Sequence, residues 1–492
     1  MTELDATTNN SSASTSDARW TLISLFTLSF WREWFTRPRG GLEALRLATP
    51  VIISSSCFAL MNFADRLYMT WYDQRGMAAA FQAGCLLWGL ITLPVGIASF
   101  TNTFVSQYNG AGKKYRIGLV VWQGMFFGLA IGVLYVAATP LVELLFQKLG
   151  AAGDFARMER NYWFFFSLGA SACIAHEPLT AYFCGRRDMK TVMWIGIASV
   201  LLNVILDPIL IFGVRGYCRW GVEGAAIASA ISLWFKFFLY LALALRRDRV
   251  WNCGLRKRFH IHWGEMYRLT KYGAMSGLQV FADNGCFTLF VLLIGWFGED
   301  VSAAAGIAFN LNALAFMPMV GLGIATTTMV GNDVGAGRFD LATRSTKTAF
   351  ALGAALTGFF ALAFFGAPHF FLDVYALRRP DEFEAIRSLA ATSLRFISAY
   401  LLFDAANVVF ASSLRGAGDA KFIMLTTGTT ATIILTSVLC GAIFFERGVN
   451  WCWTFLTLYV ILNASAFAVR FWQGGWKSHA LVHARKASSV GE

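Results

Sequence analysis

The stretch Ser199–Gly213, SVLLNVILDPILIFG, is apolar enough to form a membrane-spanning helix, yet it contains Asn203 and Asp207. These two residues are four positions apart and therefore share one face of a helix. Pro208 lacks a backbone N–H, so the carbonyl of Val204 loses its usual donor. We therefore predict that a carboxylate, an amide oxygen and a free carbonyl lie together at membrane depth. Such a cluster of hard oxygens suits a proton or a small cation such as Na⁺.

The composition places this stretch in a polytopic membrane protein. The chain has 492 residues, of which 57% are hydrophobic and 14% are charged, whereas a soluble domain has about 25% charged residues. Its 45 Gly residues favour close helix–helix contacts in lipid. The net charge of +12 falls mainly in short loops between apolar runs. This distribution favours anchoring on the cytoplasmic side of a membrane over nucleic acid binding.

Apolar segments long enough to cross roughly 30 Å of hydrocarbon recur along the chain. We predict an all-α polytopic fold of about twelve transmembrane helices, at 46–71, 77–104, 116–139, 162–183, 191–214, 221–245, 268–296, 302–330, 342–366, 388–414, 421–444 and 452–475. Six of these form an N-lobe, 41–245, and six form a C-lobe, 268–475. A basic cytoplasmic linker, 246–267, joins the two lobes.

The ends of the chain differ from its apolar centre. Residues 1–18 are polar and rich in Ser, Thr and Asn, so we expect a disordered tail. Segment 19–40 has an apolar core too short to span a bilayer, and we expect an interfacial amphipathic helix there, with a short transmembrane hairpin as the alternative. Residues 476–492 form a C-terminal tail. Lys and Arg concentrate in alternate loops, which predicts cytoplasmic termini in the cell inner membrane.

The two halves of the chain carry the same motifs in the same order. Met61–Asp65 reads MNFAD and Gln279–Asp283 reads QVFAD. PVGIASFTNTFVSQYNGAG, from Pro94, corresponds to PMVGLGIATTTMVGNDVGAG, from Pro318. GRRD and GAGD follow the fourth span of each half. Both halves have six spans and start on the same side, so we predict lobes related by a parallel pseudo-two-fold axis along the membrane normal.

Together these motifs resemble the multidrug and toxic compound extrusion (MATE) family of cation-coupled antiporters. The stretches that carry the resemblance lie between about residues 42 and 475 and include FVSQYNGAG, NVILDPILIFG, GVEGAAIAS and LRGAGD. The resemblance implies that Asp65, Asn203 and Asp207 form a proton or cation site in the N-lobe, and that they are metal ligands if Na⁺ is the coupling ion. Ser229 stands where the family often has Thr and keeps the hydroxyl oxygen.

The resemblance also implies a candidate site in the C-lobe, at Asp283 and Asp404. Relatives of the Na⁺-coupled branch carry an acid at each position, more often Glu at the first. Because Asp283 has a shorter reach, proton carrying and substrate attraction remain open beside direct ligation of an ion.

Several other residues inside the spans have open interpretations. The resemblance marks Pro50 as a helix bend, and Pro94 and Pro318 are expected to be either hinges or ordinary kinks. Arg66 is adjacent to Asp65 and is expected on another part of the helix surface. The His176-Glu177-Pro178 motif contains an intramembrane acid, a site candidate by default for which the family offers no matching function.

The function implied by the resemblance is secondary active antiport by alternating access. An organic, cationic drug or metabolite would leave in exchange for H⁺ or Na⁺, without a cofactor, through a protein expected to be a monomer. A flippase for lipids or lipid-linked sugars is the main alternative, and it would need basic cleft residues to hold phosphates. A membrane-embedded enzyme is disfavoured because the sequence has no HExxH motif and no triad-like arrangement. Acids in both lobes favour stepwise exchange over a channel.

Overall fold

The computed structural model describes residues 28–148, 153–213, 220–376, 380–444 and 448–482. The predicted tail 1–18 lies outside these residues, as do parts of segments 19–40 and 476–492. The described residues form sixteen α-helices and no strand. In chain order these are α1 (Leu28–Thr36), α2 (Gly41–Tyr72), α3 (Gln74–Ser99), α4 (Thr101–Gly110), α5 (Ile117–Ala137), α6 (Thr139–Lys148), α7 (Gly153–Gly185), α8 (Met189–Phe212), α9 (Val222–Trp251), α10 (Trp263–Gly295), α11 (Glu299–Gly335), α12 (Phe339–Gly366), α13 (Pro368–Ala376), α14 (Pro380–Ala417), α15 (Ala420–Phe444) and α16 (Val449–Trp472).

Eleven helical segments among the described residues are long and apolar enough to cross a membrane. The 33-residue helix α7 lies at the fourth predicted span but is not among them, because Glu159, Arg160 and Glu177 lower its hydropathy. A helix occupies each of the twelve predicted positions. The prediction of an all-α polytopic membrane protein is therefore confirmed.

The sequence did not predict two short helices, α6 and α13. Each follows the third span of its lobe and packs against the fourth, α6 on α7 and α13 on α14. The second predicted span also differs, because it divides into α3 and α4 at Phe100. Sequence periodicity missed α6 and α13 because helices of 10 and 9 residues are too short for a clear apolar stripe.

Helix packing repeats in parallel between the lobes. In the N-lobe α2 packs on α8, α5 on α7 and α7 on α9, and in the C-lobe α10 packs on α15, α12 on α14 and α14 on α16. Between the lobes, α2 packs against α11 and α3 against α10. When the N-lobe is superposed on the C-lobe, α2 falls on α10 and α3 falls on α11. The contact of α2 with α11 then corresponds to the contact of α10 with α3, as a parallel pseudo-two-fold axis requires.

Among the described residues, the lobes share a core at one end of the molecule. We call this the basic end, because three of the loops there, at 111–116, 186–190 and 336–338, carry seven Lys and Arg residues, and the fourth, at 418–419, lies between Arg415 and Lys421. One apolar cluster at this end joins Phe104 and Tyr182 to Met319 and Val409 of the other lobe. Toward the opposite end the clusters belong to single lobes. The two lobes therefore pack against each other at the basic end. Toward the opposite end, each lobe has its own core.

A polar surface seals the basic end. We call this surface the seam; it comprises α4 and the last ten residues of α11, which are almost entirely buried. Asn102 and Thr328 pair at 3.2 Å, and Asn109 donates to Asn332 at 2.6 Å. Gln107 donates to the carbonyl of Gly416 at 2.9 Å. Because these groups can exchange their partners for water, a seam of this composition can open at lower cost than an apolar one.

Charged residues and the C-terminal segment reinforce the seam. Arg39, which is 8% exposed, forms a two-point ion pair with the fully buried Asp333 of α11. Arg39 also pairs with Glu43, which accepts from Arg187 at 3.0 Å. The backbone N–H of Leu481 donates to the Gln107 side chain at 2.9 Å. The beginning of α2 and the described end of the chain are thus both fixed across the junction of the lobes.

We expect Gly335→Ala to destabilise the closed seam by about 1–3 kcal/mol. A Cβ at Gly335 would overlap with the backbone carbonyl of Gln107, which cannot move without separating α4 from α11. Gly358→Ala in α12 is the matched control, because an added Cβ there meets open space. Thermal unfolding of the purified variants checks this. Equal melting temperatures for the two variants would contradict the close packing of α4 against α11 in the seam.

Candidate cation site in the N-lobe

Three helices of the N-lobe bring the predicted site residues together. Asp65 lies on α2, Asn203 and Asp207 on α8, and Ser229 on α9. The hydroxyl of Ser199 donates to the carbonyl of Ser232 at 2.9 Å and fixes α8 against α9. Close approach of these two helices also needs a glycine at position 224, because a Cβ there would overlap with the carbonyl of Leu210.

The four side chains form one hydrogen-bonded group. The Ser229 hydroxyl donates to Asp65 Oδ2 at 3.0 Å. The Asn203 amide lies 3.4 Å from both Asp207 Oδ1 and the Ser229 hydroxyl oxygen. Ser229 and Asn203 thus link the carboxyl groups of Asp65 and Asp207, which also interact electrostatically. Asn203 and Asp207 are fully buried, whereas Asp65 is half-buried.

Three acceptor oxygens of this group have no hydrogen-bond partner. They are Asp65 Oδ1, Asn203 Oδ1 and Asp207 Oδ2, and all three are buried. A buried acceptor without a donor costs about 1–3 kcal/mol, and more when it is charged. Pro208 lies inside α8 and leaves the nearby Val204 carbonyl without its helical donor. A bound proton or Na⁺ would interact with these oxygens. The oxygens are therefore suitable ligands for either coupling ion.

A cavity of about 90 Å³ adjoins the site. Asp65 and Ser229 line it together with Tyr162 of α7 and Phe81 and Trp88 of α3. The expectation that Arg66 points elsewhere was wrong, since Arg66 lines the same cavity and its guanidinium lies 5.8 Å from the centre of the Phe81 ring. The long Arg side chain extends around the helix to this side, which its backbone position alone does not indicate.

The C-lobe acids lie near each other without direct contact. Asp283 accepts from Tyr459 at 2.6 Å and from Gln279 at 2.5 Å, and Gln279 in turn accepts from Arg415. Asp404 is 6% exposed and interacts electrostatically with Asp283. The roles proposed for Asp283 and Asp404 stay predictions.

Sequence reasoning missed Gln279, Tyr459 and Arg415. Gln279 is four residues before Asp283, so its spacing could have indicated a contact. The position of Arg415 near the end of α14 predicts a loop charge, but its guanidinium reaches into the lobe and donates to Gln279. Tyr459 is 176 residues from Asp283 and carries no local signal.

The three prolines predicted to mark irregular helices all lie inside helices. Pro50 is in α2, Pro94 in α3 and Pro318 in α11. α3 ends five residues after Pro94, whereas α11 continues to Gly335. A bend or hinge at these positions stays a prediction.

The fold and the site together define a class of protein. Two parallel six-helix lobes, closed at one end by a polar seam and holding acids within the bilayer, are the architecture of a secondary transporter. Known proteins agree with this class. The chain belongs to the MatE family, whose sequence model matches residues 50–209 and 276–440.

Relatives of known name cover most of the chain. Multidrug resistance protein PmpM of Pseudomonas aeruginosa is 28% identical over 396 residues, which are 78% of this chain and 80% of the relative. Multidrug resistance protein NorM of Vibrio cholerae is 27% identical over 381 residues, 77% of this chain and 82% of the relative. Both comparisons extend through the two lobes.

Solved structures share the fold. The eukaryotic MATE transporter AtDTX14 has a TM-score of 0.77 at 16% identity, over 89% of this chain and 96% of that one. A multidrug resistance MATE transporter in an outward-facing conformation has a TM-score of 0.77 at 21% identity, over 89% and 96% of the two chains.

We expect Ser229→Ala to weaken activation of the protein by its coupling cation about tenfold. The variant removes the hydroxyl that donates to Asp65, and a hydrogen bond to a charged group contributes about 1.5 kcal/mol. Ser229→Thr keeps the hydroxyl and is the matched control. The measurement is the cation concentration that gives half-maximal transport. If the two variants reach half-maximal transport at the same cation concentration, the assignment of Ser229 to the site is wrong.

Proposed function

We propose that this protein is an antiporter that exports organic, cationic compounds in exchange for H⁺ or Na⁺. The observation that carries the proposal is the group of three unpartnered acceptor oxygens on Asp65, Asn203 and Asp207. A bound positive charge would stabilise such a group of buried acceptor oxygens. Membership of the MatE family and the multidrug resistance relatives support export of drug-like compounds.

The basic end faces the cytoplasm in this proposal. Lys and Arg in short loops are retained on the cytoplasmic side of a membrane. With the basic end at the cytoplasm, the closed seam supports an outward-facing state. PmpM and NorM are bacterial proteins, which supports the inner membrane as the location.

Occupancy of the N-lobe site changes the charge within the bilayer. When the site is vacant, the ionised carboxylates of Asp65 and Asp207 repel each other in an apolar interior. A proton removes one charge, and Na⁺ compensates it, so either ion lowers the cost of repacking α2. The cation thereby biases the equilibrium between outward- and inward-facing states, and substrate affinity changes reciprocally with cation occupancy.

Acidic and aromatic side chains suit an amphipathic cationic substrate. Phe81, Trp88 and Tyr162 line the N-lobe cavity beside Asp65. Aromatic faces attract organic cations, and acids provide charge complementarity. In the C-lobe, Asp283 and Asp404 provide a second acidic region, which binds either the ion or the substrate. A flippase is less favoured, because the acids of both lobes would repel the phosphates of lipid substrates.

We expect Asp207→Asn to abolish cation-driven uptake of ethidium, an aromatic cation, into proteoliposomes. The amide keeps the shape of the carboxyl group but cannot take up a proton or compensate Na⁺. A pH gradient and a Na⁺ gradient are applied separately, so the wild-type response identifies the coupling ion.

Asp300→Asn is the matched control, because Asp300 is an exposed acid at the start of α11. Both variants are first compared with wild type by gel filtration and thermal unfolding. Wild-type uptake by folded Asp207→Asn would contradict the proposal. Absence of ethidium uptake and of ethidium exchange in the wild-type protein would contradict the substrate class.

A further inference from the structure

A second group of ionisable side chains lies within the N-lobe, outside the site described above. His176 and Glu177 are on α7, and Lys236 is on α9. His176 is buried and the other two are half-buried. Ionisable residues at membrane depth are costly and mark proton or ion pathways more often than packing positions. Neither the cation site nor the seam uses these three residues.

This group lies next to the cavity on its side toward the basic end. Cys173 and Leu233 line the cavity on α7 and α9. Glu177 is four residues after Cys173, and Lys236 is three residues after Leu233, so each shares a helix face with its cavity-lining neighbour. A rise of 1.5 Å per residue places Glu177 about 6 Å beyond Cys173, in the direction of Gly185 at the basic end.

The contacts of Glu177 leave its carboxylate available. His176 Nε2 lies 3.9 Å from Glu177 Oε1, and His176 Nδ1 lies 2.5 Å from the carbonyl of Cys173. Lys236 acts on Glu177 electrostatically, without a hydrogen bond between them. A carboxylate that accepts no hydrogen bond from its described neighbours suits a mobile proton better than a fixed ion pair.

The ionisable groups that face Glu177 come from two helices. On α9 these are Lys236 and Tyr240, and on α7 itself they are His176, Cys173 and Cys184. The Glu177 carboxyl group is affected mainly by its burial and by the charge of Lys236. Lys236 is therefore the main described cation that compensates this carboxylate, beside His176 at 3.9 Å.

We propose that Glu177, with Lys236 and His176, is a second proton-binding site that passes protons from the Asp65–Asp207 site toward the cytoplasm. This proposal rests on the proposed function, in the case that H⁺ is the coupling ion. A proton leaves the carboxyl group of Asp207 or Asp65, which becomes a carboxylate, and crosses the cavity. It binds the Glu177 carboxylate, which becomes a carboxyl group, and then leaves to the cytoplasmic side. The proton stays on Glu177 while the seam is closed, and it leaves to the cytoplasm once the seam opens, as alternating access requires.

Lys236 gives the path selectivity between cations. Its ammonium compensates Glu177 when the carboxylate is ionised, which lowers the cost of keeping that charge in the bilayer. The same ammonium repels Na⁺ at the point where the path leaves the cavity. The site is therefore specific for protons.

The test uses the double variant Glu177→Gln/Lys236→Gln, which removes both charges together and leaves neither uncompensated. Ethidium uptake driven by a pH gradient should fall roughly tenfold or more, and its dependence on pH should change, because a proton acceptor has been lost. Without any ion gradient, the exchange of external ethidium for ethidium inside the liposomes should be as fast for the double variant as for the wild type. Gel filtration and thermal unfolding establish that the variant is folded.

The matched control is Asp373→Asn/Arg387→Gln, which removes an ion pair between α13 and α14 of the C-lobe. Its uptake should equal that of the wild type. Wild-type pH-driven uptake by the Glu177 double variant would overturn the proposal, as would an equal loss of exchange and of pH-driven uptake. A wild-type protein that responds only to Na⁺ would overturn it too, while leaving cation-coupled export intact. If the double variant fails to fold, Glu177→Asp replaces it, and an unchanged pH profile would overturn the proposal.

Discussion

The close approach of two carboxyl groups, on Asp65 and Asp207, is the constraint on which the rest of the structure depends. Like charges this close in an apolar interior cannot both remain ionised at low cost. Asn203 and Ser229 hold the pair in position but leave three acceptor oxygens without a donor. The N-lobe is thus built around a site whose stability depends on a bound positive charge.

Helix α2 connects this site to the seam. It carries Asp65 within the lobe and packs on α11 of the other lobe. Arg39, just before α2, pairs with Asp333 near the end of α11. A change in the packing of α2 around Asp65 therefore acts on a contact that holds the lobes together. The coupling follows one continuous helix, a physical link between two sites.

The C-lobe acid region reaches the seam through hydrogen bonds. Asp283 accepts from Gln279, and Gln279 accepts from Arg415. The backbone carbonyl of Arg415 accepts from Thr103 of α4 at 3.1 Å. Both acidic regions therefore contact the junction of the lobes, although by different means. This difference is consistent with unequal roles for two lobes that carry the same sequence motifs.

The sequence predicts the fold and the N-lobe cluster because both depend on strong local signals. Long apolar segments define the helices, and the spacing of Asn203 and Asp207 places them on one face. Contacts between distant segments carry no such signal. The pairs Tyr459–Asp283 and Arg39–Asp333 arise from tertiary packing, and the short helices α6 and α13 are too brief for periodicity to reveal.

The distance between the lobes at the basic end tests the central claim most directly. Spin labels are placed at Lys114 and Asp340, two exposed positions in different lobes beside the seam. We expect the distance distribution in liposomes to shift toward longer values when pH falls or Na⁺ is added, and the distribution in Asp207→Asn to be insensitive to both. A wild-type distribution that does not respond to either ion, or an Asp207→Asn distribution that responds as wild type does, would contradict the claim that the buried acids control the two states.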